Sequence, residues 1–275
     1  MQRFSLPQLK LPVCLCLAFL AAPALADESA RKPIDPNTGF ARLTGQVVQT
    51  GTSEGFGNGF VIGRMGCHVL TNFHVAFGKS KNLSTGEVQF VDPVGVGHVV
   101  TFKFDLDRST GEFRRQLLAK VVDFGNYDAD TPRGILGDLA LLRLDSCLGE
   151  EYGYLEFDRP VSGKRVPSGR LMTISSSQDA SGRYKVLAEE GCRADEATSI
   201  TGMMVMSCVG VAGMSGSMIL EEGADKKWRF VGITTKVSHY ANGTPATKGI
   251  YVKAVEKFLA GAIPNVDWGA RRNSR

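Results

Sequence analysis

Little in this 275-residue sequence points to a membrane, a nucleic acid or a metal. Past residue 26 it has no apolar run of the roughly 20 residues that a bilayer span requires. Charge is nearly balanced, with 32 Lys and Arg against 28 Asp and Glu. The one basic cluster, Arg271-Arg272-Asn273-Ser274-Arg275, reads as a frayed terminus. Nucleic-acid binding needs clustered positive charge, so no nucleic-acid partner is expected. Beyond the first 26 residues there are only four cysteines, and no two have the C-x₂₋₄-C spacing that structural zinc sites favour. Three of the four histidines sit in unremarkable surroundings: His68 beside Cys67, His98 in a Gly/Val-rich run, His239 in a hydrophilic loop. No metal-ligand spacing joins them, and no cofactor is expected. Internal repeats are absent and helical periodicity is scarce.

What is present starts with a targeting signature. Arg3 and Lys10 precede the apolar run Leu11–Leu20, and Ala24-Leu25-Ala26 places small residues two apart just before Asp27. That is the layout of a secretory signal, cleaved after Ala26, and it implies a secreted or periplasmic protein. No lipoprotein-type Cys follows. Cleavage leaves 249 residues with a net charge of +2, because two of the basic residues and no acid lie in the signal. Such a length fits one large all-β domain or two coupled barrels. Cys14 and Cys16 leave with the signal. Cys67, Cys147, Cys192 and Cys208 remain, an even number in an oxidising compartment, which favours disulfides over a metal. Four cysteines allow three pairings, and the sequence alone does not choose.

Residues 27–39 are polar and contain proline, as a leader or loop does. Short β-favouring runs then recur between turn residues: Leu43–Val48, Gly59–Ile62, His68–Thr71, Val99–Phe104, Asp138–Leu144, Arg170–Ile174, Tyr184–Leu187, Met203–Ser207, Ser217–Leu220, Arg229–Thr235 and Gly249–Val252. Many short strands with regular turn signals predict an all-β sandwich or barrel. One helix is expected, Val252–Ala262, where Val252, Val255, Phe258, Leu259 and Ile263 share a face. Residues 106–136, polar and of mixed charge, read as a long insertion loop, with Arg114-Arg115 a solvated face or a nick site. Gly153, Pro160, Gly163 and Pro167 mark a boundary within 152–168.

Three segments carry chemistry. Leu70-Thr71-Asn72-Phe73-His74-Val75 ends a β-rich run in histidine, Gly137-Asp138-Leu139 opens an apolar strand with aspartate, and Gly213-Met214-Ser215-Gly216-Ser217 holds a serine between glycines. Each alone is weak, because a lone His is more often structural, an Asp before a strand is often a turn residue, and G-x-S-G occurs by chance. Together, in that order, they specify a mechanism. A serine hydroxyl needs a neighbouring base, a neutral imidazole serves near neutral pH, and a carboxylate on the far ring nitrogen fixes its tautomer. A tight glycine turn lets the N–H groups of Gly213 and Ser215 converge on an oxyanion. An α/β-hydrolase esterase is disfavoured, since it needs a G-x-S-x-G elbow and a histidine after the serine, whereas His74 precedes Ser215 and the only later histidine, His239, is placed in a hydrophilic loop.

These segments, their order and their spacing resemble the trypsin/chymotrypsin-like serine peptidase superfamily, closest to its bacterial secreted branch with the glutamyl endopeptidases. The resemblance covers roughly residues 42–262. It implies two six-stranded antiparallel β-barrels with a C-terminal helix: an N-terminal barrel over 42–155 and a C-terminal barrel plus helix over 156–262, with a leader or pro-segment over 27–41 and a tail over 263–275. It implies His74, Asp138 and Ser215 as catalytic residues, an oxyanion hole at Gly213 and Ser215, and protein or peptide substrates. Phe230–Thr235 is similar to the family strand that pairs with substrate, and Gly249-Ile250-Tyr251 matches the family's G-[VI]-Y strand. It also implies the disulfides Cys67–Cys147 and Cys192–Cys208.

The departures from the family pattern are specific. Met214 replaces the aspartate that in many animal members binds a freshly cut amino terminus, and no Ile-Val-Gly-Gly start follows Lys32 or Arg42, so activation by terminal insertion is not expected. Val75 stands where animal enzymes have a cysteine. The resemblance places the specificity pocket at Val209, Gly210, Thr235, Val237 and Gly249. Val209 supplies no charge for Lys or Arg, Thr234 stands where glutamyl-specific enzymes use histidine, and Val237 replaces a common glycine, so an apolar or small side chain at the cleavage site is expected. The competing reading is a catalytically silent protease-fold binding module.

Overall fold

The computed structural model describes residues 30–49, 55–81, 88–90, 94–128, 130–155, 167–179, 181–200, 202–240 and 242–262. The signal over 1–26, the first residues of the leader, Pro160, Gly163 and the segment 263–275 with Ile263 lie outside them. The strands, in chain order, are β1 Arg31–Pro33, β2 Thr44–Gln49, β3 Gly55–Ile62, β4 His68–Thr71, β5 Lys79–Lys81, β6 Val88–Phe90, β7 Val99–Leu106, β8 Phe113–Phe124, β9 Ala140–Leu144, β10 Leu171–Gln178, β11 Tyr184–Cys192, β12 Met203–Met206, β13 Met218–Glu222, β14 Trp228–His239 and β15 Pro245–Tyr251. The helices are α1 Phe73–Ala76, α2 Pro132–Leu136, α3 Gly149–Tyr152 and α4 Val252–Ala262.

Strands β2-β3-β4-β9-β8-β7 close into an antiparallel barrel. Along β7 the buried residues alternate as Val100, Phe102, Phe104 and Leu106, the period-two pattern of a strand with one face inside. They meet Val47, Phe60, Leu70 and Leu141 in a core that runs on into the second half of the chain. The long strand β8 falls inside the segment read from sequence as an insertion loop. Ala119 and Val121 point inward there while Arg114, Gln116, Leu118 and Lys120 face out, so its polarity belongs to one face of a strand. Arg114-Arg115 lies on this strand and is paired: Arg114 bridges Asp107 at 2.8 Å and Arg115 bridges Glu151 at 2.6 Å.

The second half forms a seven-stranded antiparallel sheet, β1-β11-β10-β13-β14-β15-β12. A bridge from Ala194, just past β11, to Met206 of β12 brings the ends of the β10–β15 ladder together. The seventh strand comes from the leader. Arg31 pairs with Glu189, and Pro33, which has no N–H to give to a ladder, sits at the sheet edge where that costs least. Helix α4 has the residues expected from sequence and buries Val252, Val255 and Leu259. Cys67 is bonded to Cys147 and Cys192 to Cys208, the pairing the resemblance implied. Among the described residues, no helix is long and apolar enough to cross a membrane.

Candidate active site

His74 owes its place to a change of secondary structure. Strand β4 is buried throughout and held between β3 and β9. At Asn72 the chain leaves the extended conformation and makes the single turn α1, which buries Phe73, Val75 and Ala76 and leaves the His74 side chain 18% exposed. The Asn72 carboxamide donates to the Asp138 carbonyl at 2.8 Å, tying this turn to the start of β9.

Asp138 arrives from the other direction. Thr131 caps α2 by accepting the Gly134 N–H at 3.0 Å, Pro132 begins the helix, and Gly137 ends it one residue before Asp138. The Asp138 carboxylate is fully buried and therefore needs donors. It accepts from the His74 backbone N–H at 3.1 Å, from His74 Nδ1 at 2.8–2.9 Å, and through a short bond from the Thr235 hydroxyl. A ring nitrogen facing a carboxylate carries the proton, so His74 Nε2 is left as an acceptor.

Ser215 lies in the turn between β12 and β13. Met214, buried beneath it, donates to the Val211 carbonyl at 3.2 Å, and its own carbonyl accepts from Ser217 N–H at 3.0 Å and Thr234 Oγ1 at 2.6 Å. Glycine is required on both sides. Gly213 has φ +85° and Gly216 φ +82°, and a Cβ on Gly216 would lie 1.9 Å from the Asn58 carbonyl oxygen. Among the described residues, the N–H groups of Gly213 and Ser215 donate to no protein acceptor, whereas those of Met214, Gly216 and Ser217 do. The Ser215 hydroxyl donates to the Thr235 carbonyl at 3.1 Å. Thr235 thus touches both Ser215 and Asp138, and Gly57 packs against both Val75 and the Ser215 carbonyl, so the His74 turn and the Ser215 turn meet across the two halves of the chain.

The residues expected to form the specificity pocket separate into two groups. Gly210 faces the Val237 methyls and the Thr247 hydroxyl, which would stand 2.7–3.3 Å from a Cβ at that position. The Val209 N–H donates to the Glu189 carboxylate at 2.8 and 3.0 Å. Gly249 is not brought to this group: it pairs with Thr234 and faces Ile219 and Met206 in the barrel interior. A register shift between Thr234 and Lys236 puts Thr247, rather than Ala246, opposite Val237. Thr235 faces Asp138, and Thr234 is engaged by the Ser215 turn.

Several residues at the site were not singled out from sequence. Tyr127 stacks beside the His74 imidazole with centroids 5.9 Å apart, and burial, then the nearby Asp138 charge, raises its phenol above the usual range. Glu189 is buried, and burial raises its carboxyl despite the Val209 N–H and the Arg31 charge. It lies with Cys192 and Cys208 in metal-ligand proximity, but those sulfurs are bonded to each other and hold no thiolate for a metal. Asn58, wholly buried on β3, contacts the Ser215 turn directly. Its only sequence signal is a lone amide between two glycines ahead of an apolar run. A cavity of about 620 Å³ opens beside Gly213, walled by Arg31, Gln46, Ser177, Tyr184 and Lys185.

The closed six-stranded barrel, the second antiparallel sheet and the C-terminal helix are those of the chymotrypsin-like serine protease fold. One solved neighbour is a structure of a Glu endopeptidase in complex with MPD, which superposes with a TM-score of 0.53 at 17% identity over 82% of this chain and 95% of that one. At that identity the likeness is one of fold. No protein-family model matches the sequence, and no curated protein matches it.

Proposed function

We propose that the chain is a secreted or periplasmic serine endopeptidase working through His74, Asp138 and Ser215. The observation that carries this reading is the His74–Asp138 contact, 2.8 Å at a fully buried carboxylate, on the same Thr235 that receives the Ser215 hydroxyl. The Ser215 hydroxyl rotates from the Thr235 carbonyl towards His74 Nε2, gives it the proton, and Oγ attacks the peptide carbonyl carbon. The carbonyl π electrons move to oxygen, where the N–H groups of Gly213 and Ser215 receive the charge. His74 then gives the proton to the leaving amine as the C–N bond breaks, leaving an acyl-enzyme that water clears by the same steps. Asp138 stays ionised and stabilises the imidazolium. Two disulfides fit an oxidising compartment, and the 1–26 signal supplies the route. The peptidase unit spans 42–262 with the halves meeting within 152–168, and strand β1 extends it into the leader.

For specificity, the Val237 methyls and the Thr247 hydroxyl close on Gly210, which favours a small or apolar side chain ahead of the scissile bond. The Glu preference named for the structural neighbour does not carry over, because Thr234 is bonded to the Met214 carbonyl and offers no basic group. A peptide-library profile tests this: cleavage after small or apolar residues that vanishes in Ser215→Ala supports it, and cleavage after Glu, or none at all, contradicts it.

A second reading, a silent binding module, draws on one observation: the Ser215 hydroxyl is bonded to Thr235 rather than to His74. Catalytic hydrogen bonds are often long or misaligned without substrate, so the peptidase reading is preferred. Equal peptide binding by wild type and Ser215→Ala, with turnover in neither, selects the module.

A further inference from the structure

The Ser215 turn is held from behind by one residue of the other barrel. Asn58 is fully buried and grips both ends of the Gly213–Ser215 segment. Its side-chain Nδ2 donates to the Gly213 carbonyl at 2.7 Å, and its backbone N–H donates to the Ser215 carbonyl at 2.7 Å. The remaining polar atoms are used as well: Oδ1 accepts the Ser176 N–H of β10 at 2.6 Å, and its carbonyl accepts the Thr71 hydroxyl at 2.6 Å. Thr71 ends the strand that leads to His74, so a single residue links the base, the second barrel and the nucleophile turn.

The chemistry admits only a carboxamide in this place. The Gly213 carbonyl can only accept and the Ser176 N–H can only donate, so the side chain must present one donor and one acceptor from a flat group of this size. Aspartate satisfies Ser176 but sets a carboxylate oxygen against the Gly213 carbonyl. Leucine fills the volume and satisfies neither. Holding the Gly213 carbonyl fixes the 213–214 peptide plane, and holding the Ser215 carbonyl fixes the 215–216 plane. The Met214 carbonyl, bonded to Ser217 and Thr234, fixes the plane between them.

We propose that Asn58 is a positioning residue of this enzyme: by pinning the 213–214 and 215–216 peptide planes, which adjoin the planes that carry the unengaged Gly213 and Ser215 N–H groups, it limits the backbone rotations that would turn those groups away from a tetrahedral oxyanion. The kinetic part of this inference rests on Ser215 being the nucleophile; the structural part does not. Asn58 touches no substrate, and its effect is on the transition state alone.

The test combines kinetics with amide hydrogen exchange, read by mass spectrometry over residues 211–217, in Asn58→Ala, Asn58→Asp and the milder Asn58→Ser. Leu259→Ala, on the buried face of α4, serves as a control of comparable destabilisation. The expected result is a fall in kcat of about 10- to 100-fold with KM within about twofold, and exchange over 211–217 accelerated by about tenfold or more. Leu259→Ala lowers the melting temperature without either change. Wild-type exchange over 211–217 in folded Asn58→Ser overturns the proposal, as does a kcat no lower than in Leu259→Ala. If wild type itself cleaves nothing, the peptidase reading fails, and the exchange measurement still decides whether Asn58 holds the turn.

Discussion

The Asp138 carboxylate binds His74 twice, through the imidazole Nδ1 at 2.8 Å and through the backbone N–H at 3.1 Å. The second bond anchors the first turn of α1, so one buried charge fixes both the ring and the chain that carries it. A group used in this way does not tolerate isosteric exchange. Asp138→Asn lets an amide N–H face Nδ1 and drives the proton to Nε2, which removes the base. The expected loss in kcat is about 10⁴-fold, the size known for this change in the chymotrypsin mechanism, with KM little altered. Steady-state kinetics on folded protein measure it; a loss under tenfold contradicts the assignment.

Val237 and Thr247 bracket Gly210, and the Val237 methyls occupy the space that a glycine would leave open. Val237→Gly should therefore raise kcat/KM for a large apolar residue ahead of the scissile bond, relative to alanine, by about tenfold or more. A matched pair of peptide substrates checks this. An unchanged ratio would place the pocket elsewhere.

Glu189 predicts a pH dependence of stability. Burial raises its carboxyl, so the folded chain keeps that proton to higher pH than the unfolded chain does. The stabilisation is therefore present at low pH and is lost as pH rises through the raised titration range. Glu189→Gln keeps an acceptor for the Val209 N–H without the charge. Its melting temperature should gain on wild type by a few degrees more at pH 8 than at pH 4, at about 2–4 °C per kcal/mol for a domain of this size. A gain that shrinks with pH would mean that the attraction of Arg31 outweighs desolvation.

The two disulfides close loops of different length, with sequence separations of 80 and 16. On chain entropy alone, removing Cys67–Cys147 as a double serine variant should cost about 1.4 kcal/mol more than removing Cys192–Cys208. Denaturant melts of the two variants give the difference directly. Equal costs would show that native-state packing sets both.

Much of this was legible in the sequence, because most strands are short apolar runs between turn residues and α4 has an unbroken helical stripe. Strand β8 was hidden by its composition: Arg114, Gln116 and Lys120 make the segment look like a solvated loop, although every second residue faces inward. Strand β1 was hidden because its partner β11 is some 150 residues away and an edge strand of Arg-Lys-Pro has no apolar signature. His74, Asp138 and Ser215 stood out only as an ordered set. Thr235, Tyr127 and Asn58 act through contacts between distant segments, which no local pattern encodes. The pairing of Val237 with Thr247 rather than Ala246 comes from the shifted register in the β14–β15 ladder, which sequence spacing cannot register.

Peptidase activity in this chain requires Ser215 to be a nucleophile activated by His74. The most direct measurement is covalent labelling of the mature protein with a fluorophosphonate, followed by mass spectrometry of the peptide that contains residue 215. Attack by Oγ on phosphorus with loss of fluoride should yield a single stoichiometric adduct on Ser215, absent in Ser215→Ala and slowed by about a thousandfold or more in His74→Ala. Folded wild-type protein that takes up no label, or takes it up equally well without His74, would contradict it.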